Sequence, residues 1–381
     1  MKKKIIHFSD IHLGNKNMTE EQIENLMNII SIKYNRDTII VFSGDLFHYK
    51  VDLDSKASRL ALRLLTFLNS LEIPSIFING TRSHDYNYQK SVRDTFPYIK
   101  FIDEVTELEI DGLKILCVPE EYIDNQLEYY SNTIYNNNKK YDMIIFHGTI
   151  SDIANFNTGI EEIPYKRAPS FRKSDFFNKS NLICCGHIHK PQLYKTEDNK
   201  LLVYAGSYGR LVHGEEEPKG LWVYNIEKDE NDSIARVIDY EFIKNNMAVK
   251  LVDYNIKEVE DDSRSTISIL VNNKEFTIND FIKLIEKNYQ DNVYIRLVIK
   301  QSFKNEKTLN KLFSNLEKKY PNVSILNKNK KINNFVERNK SNIEFIKELK
   351  KVSSIEEELN LFIKKKMNID LSIDRIKDLL K

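Results

Sequence analysis

Three cysteines in 381 residues, Cys117, Cys184 and Cys185, cannot make a disulfide framework or a zinc ribbon. The number is odd, no Cys-x-x-Cys occurs, and each lies inside an apolar run, where core burial is the expectation. Long hydrophobic runs are also missing: no stretch approaches the ~20 uninterrupted apolar residues of a membrane span. Met1-Lys2-Lys3-Lys4 leads into a short strand-like run with no cleavage site, so the expected location is the cytoplasm, away from any membrane. Net charge is only +1 and by itself points to no class of partner. Its distribution is uneven, since residues 301–381 carry 19 Lys and Arg against 11 Asp and Glu and the remainder is net negative. No basic run with interleaved aromatics marks a nucleic-acid groove. Histidine is scarce too, with eight in the chain, yet most of them sit in short motifs just after apolar runs.

What is present reads as a layered α/β chain long enough for two or more domains. Strands are expected at Lys4 to Phe8, Thr38 to Ser43, Ser75 to Ile78, 105–109, 113–118, 142–147, 182–185, 201–205 and 220–225. Thr19-x-x-Gln22 has the form of a capping box opening a helix with Ile23, Leu26, Ile29 and Ile30 on one face. Asp54 to Leu71 repeats the helical period through Leu60, Leu64, Leu65 and Leu68. Two sheets packed face to face with helices outside accommodate this order. Around residue 245 the character changes: a helix at 278–289, a strand at 293–300, a helix at 306–319 and a strand at 322–326 suggest a small α+β domain. The organisation expected is therefore 1–244, 245–327, a polar linker at 328–342, and a helical arm at 343–381. That arm carries two amphipathic stripes that it cannot bury alone, so docking on a partner is the expectation.

Four motifs end apolar runs: Asp10-Ile11-His12, Gly44-Asp45, Phe146-His147 and Gly186-His187-Ile188-His189. Phosphodiester hydrolysis needs a strong nucleophile at neutral pH and something to neutralise charge on the phosphoryl oxygens. Two divalent ions ~3.5–4 Å apart supply both. A carboxylate must then be shared, and Asp45 is the candidate bridge. Asp10 and His12, two apart on an extended segment, would face one cavity, and His187 and His189 repeat the geometry. With His147 the donors form a mixed imidazole and carboxylate shell suited to manganese, with iron, zinc or magnesium as alternatives.

The order Asp-x-His, Gly-Asp, His, Gly-His-x-His resembles the calcineurin-like metallophosphoesterase superfamily. Ser43-Gly44-Asp45-Leu46-Phe47-His48 and Gly206-Ser207-Tyr208-Gly209-Arg210-Leu211, followed by Glu215 to Gly220, resemble one branch. These are the SbcD-type (Mre-eleven-like) nuclease subunits, bacterial or phage, that work with an SbcC-type ATPase in DNA repair and recombination. The resemblance covers roughly residues 1–245. It implies a four-layer α/β/β/α sandwich with a small α+β capping domain that steers DNA, and a C-terminal helical arm binding the ATPase. Asp10, His12, Asp45 and His189 would hold one ion, and Asp45, His147 and His187 the other. Where the family completes the second shell with Asn in Gly-Asn-His-Asp, this chain has Gly80-Thr81-Arg82-Ser83-His84-Asp85, so Ser83 stands at that place. His84 matches the family's catalytic histidine, with Asp85 expected to orient its ring, and His48 matches a histidine contacting phosphate. Arg82, Lys190 and Arg210, with Arg167, Arg172 and Lys173, are candidates for DNA backbone contacts.

The implied activity is manganese-dependent hydrolysis of DNA, 3′ to 5′ from double-stranded ends and endonucleolytic on single strands, gated by the partner's ATP cycle. Helices at 54–71 and 88–96 resemble those through which family members pair, implying a homodimer inside a heterotetramer. His7 reads as a strand-face or core residue and His213 as a loop cap. The rival readings are a stand-alone phosphodiesterase or phosphatase on a non-DNA substrate and, given Ser83, a weakly active scaffold that grips DNA without cutting.

Overall fold

Runs such as Ile39-Ile40-Val41-Phe42 and Met143-Ile144-Ile145-Phe146 offer no polar face, the pattern of strands covered on both sides. The computed structural model describes residues 1–85, 88–120, 125–153, 170–230, 232–259 and 267–328. It divides into two units, Met1–Val252 with Gln290–Tyr294, and Asp253–Tyr289 with the chain from Ile295 onward.

The strands of the first unit are β1 (Lys2–Phe8), β2 (Thr38–Phe42), β3 (Ser75–Ile78), β4 (Ile99–Ile102), β5 (Thr106–Ile110), β6 (Leu113–Val118) and β7 (Met143–His147). They continue with β8 (Thr149–Ile150), β9 (Ser170–Phe171), β10 (Leu182–Gly186), β11 (Gln192–Lys195), β12 (Leu201–Tyr204), β13 (Gly220–Glu227) and β14 (Arg236–Lys244). One six-stranded sheet runs β14-β13-β1-β2-β3-β4 and the other β11-β12-β10-β7-β6-β5. Within the first sheet β1 to β4 are parallel, and within the second so are β12, β10, β7 and β6. Parallel pairing makes the carboxyl ends of neighbouring strands emerge together, and those ends are where open α/β sheets take their ligands.

Period-2 alternation sorts the side chains into three cores. Ile6, Phe8, Ile40 and Phe42 face the helices α1 (Glu20–Lys33) and α2 (Lys56–Ser70), which bury Leu26, Leu60, Leu64 and Leu68 against them. Ile5, Ile39, Val41, Cys117, Ile145 and Cys184 fill the space between the sheets. Leu116, Ile144, Phe146 and Cys185 face the other way, onto Tyr130, Phe171 and Phe176. The result is a four-layer α/β/β/α sandwich, each large apolar side chain contributing about 1.5–3 kcal/mol of burial. All three cysteines are buried and free, and burial pushes their thiols up, so they act as small core residues.

The capping box expected at α1 is not made. Thr19 forms no side-chain cap, and Gln22 turns inward, donating to the Asn17 carbonyl at 2.8 Å and accepting from Asn245 at 3.2 Å. Helix α2 is capped by Ser55, whose side chain accepts from the Ser58 N–H.

The second unit has a five-stranded sheet, β17-β16-β15-β18-β19, built from β15 (Lys250–Glu258), β16 (Ser268–Val271), β17 (Lys274–Thr277), β18 (Val293–Ile299) and β19 (Val323–Asn327). Its helices Ile278–Asn288 and Glu306–Lys319 bury Phe281, Ile285, Phe313 and Leu316. The first unit runs to Val252 and takes in Gln290–Tyr294 as well. The helical arm at 343–381, and the linker beyond Lys328, lie outside the described residues. No described helix is long and apolar enough to cross a membrane.

Candidate metal centre

Beyond β1 and β2 the two loops stay paired. The N–H groups of Asp10, His12 and Leu13 donate to the carbonyls of Gly44, Asp45 and Leu46 at 2.9, 3.1 and 2.8 Å. This lateral stitching, not an extended Asp-x-His segment, sets the side-chain directions: Asp10, His12 and Asp45 have φ of 49°, 52° and 61°, and His187 has 89°. Such left-handed residues cost roughly 1–3 kcal/mol each and persist only where surrounding bonds fix them. The base of the site is backbone. A Cβ on Gly44 would run into the His147 ring and Gly80, one on Gly80 into Asp45, and one on Gly186 would stand 2.8 Å from His147 Nδ1.

Two ligand sets meet over this base. In the first, His12 Nε2 lies 3.0 Å from His189 Nε2, 3.7 Å from Asp45 Oδ2 and 4.0 Å from Asp10 Oδ1. In the second, Glu120 Oε2 lies 3.7 Å from both His147 Nε2 and His187 Nδ1, and Asp45 Oδ1 lies 3.5 Å from His147 Nε2. Asp10, His12 and His189 form one group able to hold a cation, and Glu120, His147 and His187 another. Asp45 presents one oxygen to each set, the geometry a shared carboxylate needs.

Outer partners aim the rings. His147 Nδ1–H donates to the Ser43 carbonyl at 2.6 Å, leaving Nε2 as the inward lone pair. His189 Nδ1 lies 3.5 Å from Glu215 Oε1, and Glu215 is held by the Leu211 N–H at 2.8 Å and by Lys219 at 3.3 Å. The buried Lys219 ammonium also donates to the His189 carbonyl and Ser207 Oγ, each at 2.9 Å. Such carboxylate–histidine pairs fix tautomer and raise basicity. Asp10 accepts from Ser9 Oγ and from the His187 N–H at 3.1 Å.

The electrostatics are those of anions and imidazoles crowded out of water. Burial raises the Asp10 carboxyl to about 6. It also pushes His12 well below the imidazole range, aided by the neighbouring charge of His189. Burial would raise Asp45 as well, but the adjacent His147 overrules it and holds Asp45 low; His147 is held high in return, against its own burial, chiefly by Asp45. Three buried carboxylates facing four imidazoles are a donor set that fits a pair of divalent cations.

The remaining site residues fall in three places. His84 and His48 flank His12, with ring centroids 4.8 and 5.5 Å from it, and His84 Nδ1–H donates to the Phe47 carbonyl at 3.0 Å. Asp85, expected to orient His84, is bonded to backbone N–H groups. Its carboxylate accepts from the N–H groups of Asp45, Leu46, Phe47 and Gly80, clamping the Asp45 loop. Ser83 is exposed on the short helix Arg82–Asp85, pointing away from the cluster, and Thr81 is buried in its stead. Arg210, a candidate DNA contact, donates from its guanidinium to the carbonyls of Glu215, Glu217, Ala248 and Val249. Arg82, Arg172 and Lys190 are exposed, Lys173 is half-buried, and Arg167 lies outside the described residues. His7 is a core residue, bonded to Tyr224 and Ser43. Sequence reasoning passed over Thr81, Glu120, Glu215 and Lys219; for the last two the signal was the Glu215–Gly220 stretch that carried the resemblance.

The sequence profile of the calcineurin-like phosphoesterases matches residues 3–191, which span every member of both ligand sets. Over residues 3–191 the chain is similar to the calcineurin-like phosphoesterases. That similarity implies hydrolase chemistry, and the two ligand sets offer residues that could hold the metal it uses. No curated protein matches the chain. Similar solved structures include an archaeal phosphodiesterase, with 14% identity over 62% of this chain and 98% of that one and a TM-score of 0.31. Others are a 5′-nucleotidase precursor from Thermus thermophilus (10%, 63% and 54%, TM-score 0.37) and zinc-bound Vps29 from Entamoeba histolytica (10%, 64% and 99%, TM-score 0.25).

Proposed function

We propose that this chain is the nuclease subunit of an SbcCD-like complex, hydrolysing DNA phosphodiesters with two manganese ions. The observation that carries the hydrolytic part is Asp45, whose two oxygens face two separate ligand sets while His84 stands beside them, grouped with His12 and His48. DNA as substrate is supported by the likeness of Ser43–His48 and Gly206–Leu211 to that branch.

In this reading Asp10, His12, Asp45 and His189 hold one cation and Asp45, His147 and His187 contribute to holding the other. A bound pair supplies a nucleophile at neutral pH and neutralises the phosphoryl oxygens. The protein does the rest. His84, its Nδ1–H fixed on the Phe47 carbonyl, acts as the imidazolium: it hands its Nε2 proton to the leaving oxygen and is left as the neutral Nδ1–H ring. His48 binds a phosphate oxygen beside it. Asp85 keeps the Asp45 loop in its left-handed turn. The second unit steers DNA, residues 343–381 bind the ATPase, and α2 with residues 88–96 pairs two copies.

The test is cleavage of duplex DNA beside a generic aryl phosphodiester in manganese, for wild type, His84→Gln and Asp45→Asn. Both substitutions should abolish cleavage, while only Asp45→Asn strips metal. Activity on the small ester alone would eliminate the nuclease reading, and a His84→Gln protein that cuts at the wild-type rate would remove His84 from its role.

A further inference from the structure

The second ligand set is short of one anion if only the residues that the sequence motifs supply to it are counted. Asp10, Asp45, His12 and His189 give the first set two carboxylates and two imidazoles. The second has His147, His187 and a share of Asp45, and the Ser83 that stands at the place of the family's asparagine is exposed. Glu120 lies where that gap is. It follows β6 by two residues, and β6 is the parallel neighbour of β7, which ends in His147, so the topology delivers both side chains to one edge.

The Glu120 side chain is 2% exposed. Its Oε2 lies 3.7 Å from His147 Nε2, 3.7 Å from His187 Nδ1 and 2.9 Å from Thr81 Oγ1. Thr81 in turn donates its N–H to Asp45 Oδ1 at 2.6 Å, so one residue positions both carboxylates. Glu120, His147 and His187 thus present one ligand atom each to a common point able to hold a cation.

Resting on the two-cation reading above, we infer that Glu120 is a carboxylate ligand of the second cation, oriented by the Thr81 hydroxyl, in the role a neutral amide plays elsewhere in the superfamily. Each cation then has two carboxylates and two imidazoles, with Asp45 common to both. The second site is anionic and hard enough for manganese without any help from Ser83.

Manganese alone is the probe. Equilibrium dialysis of the metal-free full chain, read by elemental analysis and by the exchange-coupled electron paramagnetic resonance of a manganese pair, should give two ions for wild type. Glu120→Gln should keep one ion and lose the coupled signal, its second site weakened beyond the ~10–100-fold that loss of an outer-shell partner costs. Glu120→Asp, which keeps the charge, should bind two with only the second weakened. Two ions with wild-type affinities and coupling in both variants would overturn the assignment while leaving the two-cation reading standing; fewer than two in wild type would overturn both. Should Glu120→Gln not fold, by near-ultraviolet circular dichroism, Glu120→Asp decides: unchanged second-site affinity refutes.

Discussion

Replacing Asp85 with asparagine separates two accounts of that residue. If it served only to orient His84, Asp85→Asn would lose cleavage and nothing else. The structure assigns it a different task. Oδ2 accepts the N–H groups of Asp45 and Gly80, each at 2.9 Å, and Oδ1 accepts those of Leu46 at 2.8 Å and Phe47 at 3.3 Å. An amide keeps one acceptor oxygen, so either rotamer leaves two buried N–H groups facing an NH2. At ~1–3 kcal/mol for each unsatisfied group, Asp85→Asn should destabilise the metal-free fold by about 2–6 kcal/mol. The groups released include the N–H of Asp45, whose φ of 61° depends on them, so the shared carboxylate should drift and affinity for both cations should fall. Burial raises the Asp85 carboxyl to about 6, so at pH 8 the wild-type comparison is with an ionised clamp. Denaturant unfolding at pH 8 gives the stability, and manganese titration gives the affinity. Wild-type values for both in Asp85→Asn would refute the clamp.

Two further outcomes follow from placements that differ from the sequence reading. Ser83→Ala should leave manganese stoichiometry and affinity unchanged, whereas Thr81→Val, which removes the hydroxyl at 2.9 Å from Glu120, should weaken the second site by ~10–100-fold in a dialysis measurement. His7 is held down at about 3 by burial, against 6.5 when unfolded, so the unfolded state binds the extra proton between those values. Stability is therefore full above pH 6.5 and falls as pH drops towards 3, by about 5 kcal/mol from this residue; the pH slope of unfolding should flatten in His7→Gln, and parallel slopes would contradict it.

How far the sequence could be read depended on whether periodicity or side-chain direction decided the matter. The strands Ser75–Ile78 and Leu113–Val118 and the helix Glu306–Lys319 have the bounds their patterns suggest, because burial on known faces dictates them. The hairpin β16–β17 was readable and was passed over: Asn272 and Asn273 both adopt left-handed φ, 50° and 70°, and Asn in such a pair is a turn signal. Ser83 is a different case. Motif spacing puts it at the ligand position, but the chain becomes helical at Arg82, so Thr81 and Asp85, one turn apart, share the inward face while Arg82 and Ser83 look out. Glu120 had no motif at all, and only the adjacency of β6 and β7 brings it in.

The same adjacency explains why the ligand motifs are so short. Asp10, His12, Asp45 and His187 all have left-handed backbones, so none could be aimed by its own strand's alternation. Their directions are set by bonds from other loops: Gly44 and Asp45 carbonyls for the first loop, the Asp85 carboxylate for the second, and Asp10 itself for His187. Aspartate and histidine tolerate this conformation better than β-branched residues do, and glycines at 44, 80 and 186 leave room for the backbones to close in. A ligand at a strand end in this domain is thus positioned by its neighbours' loops. Moving any one loop should disturb ligands on two others before it disturbs its own.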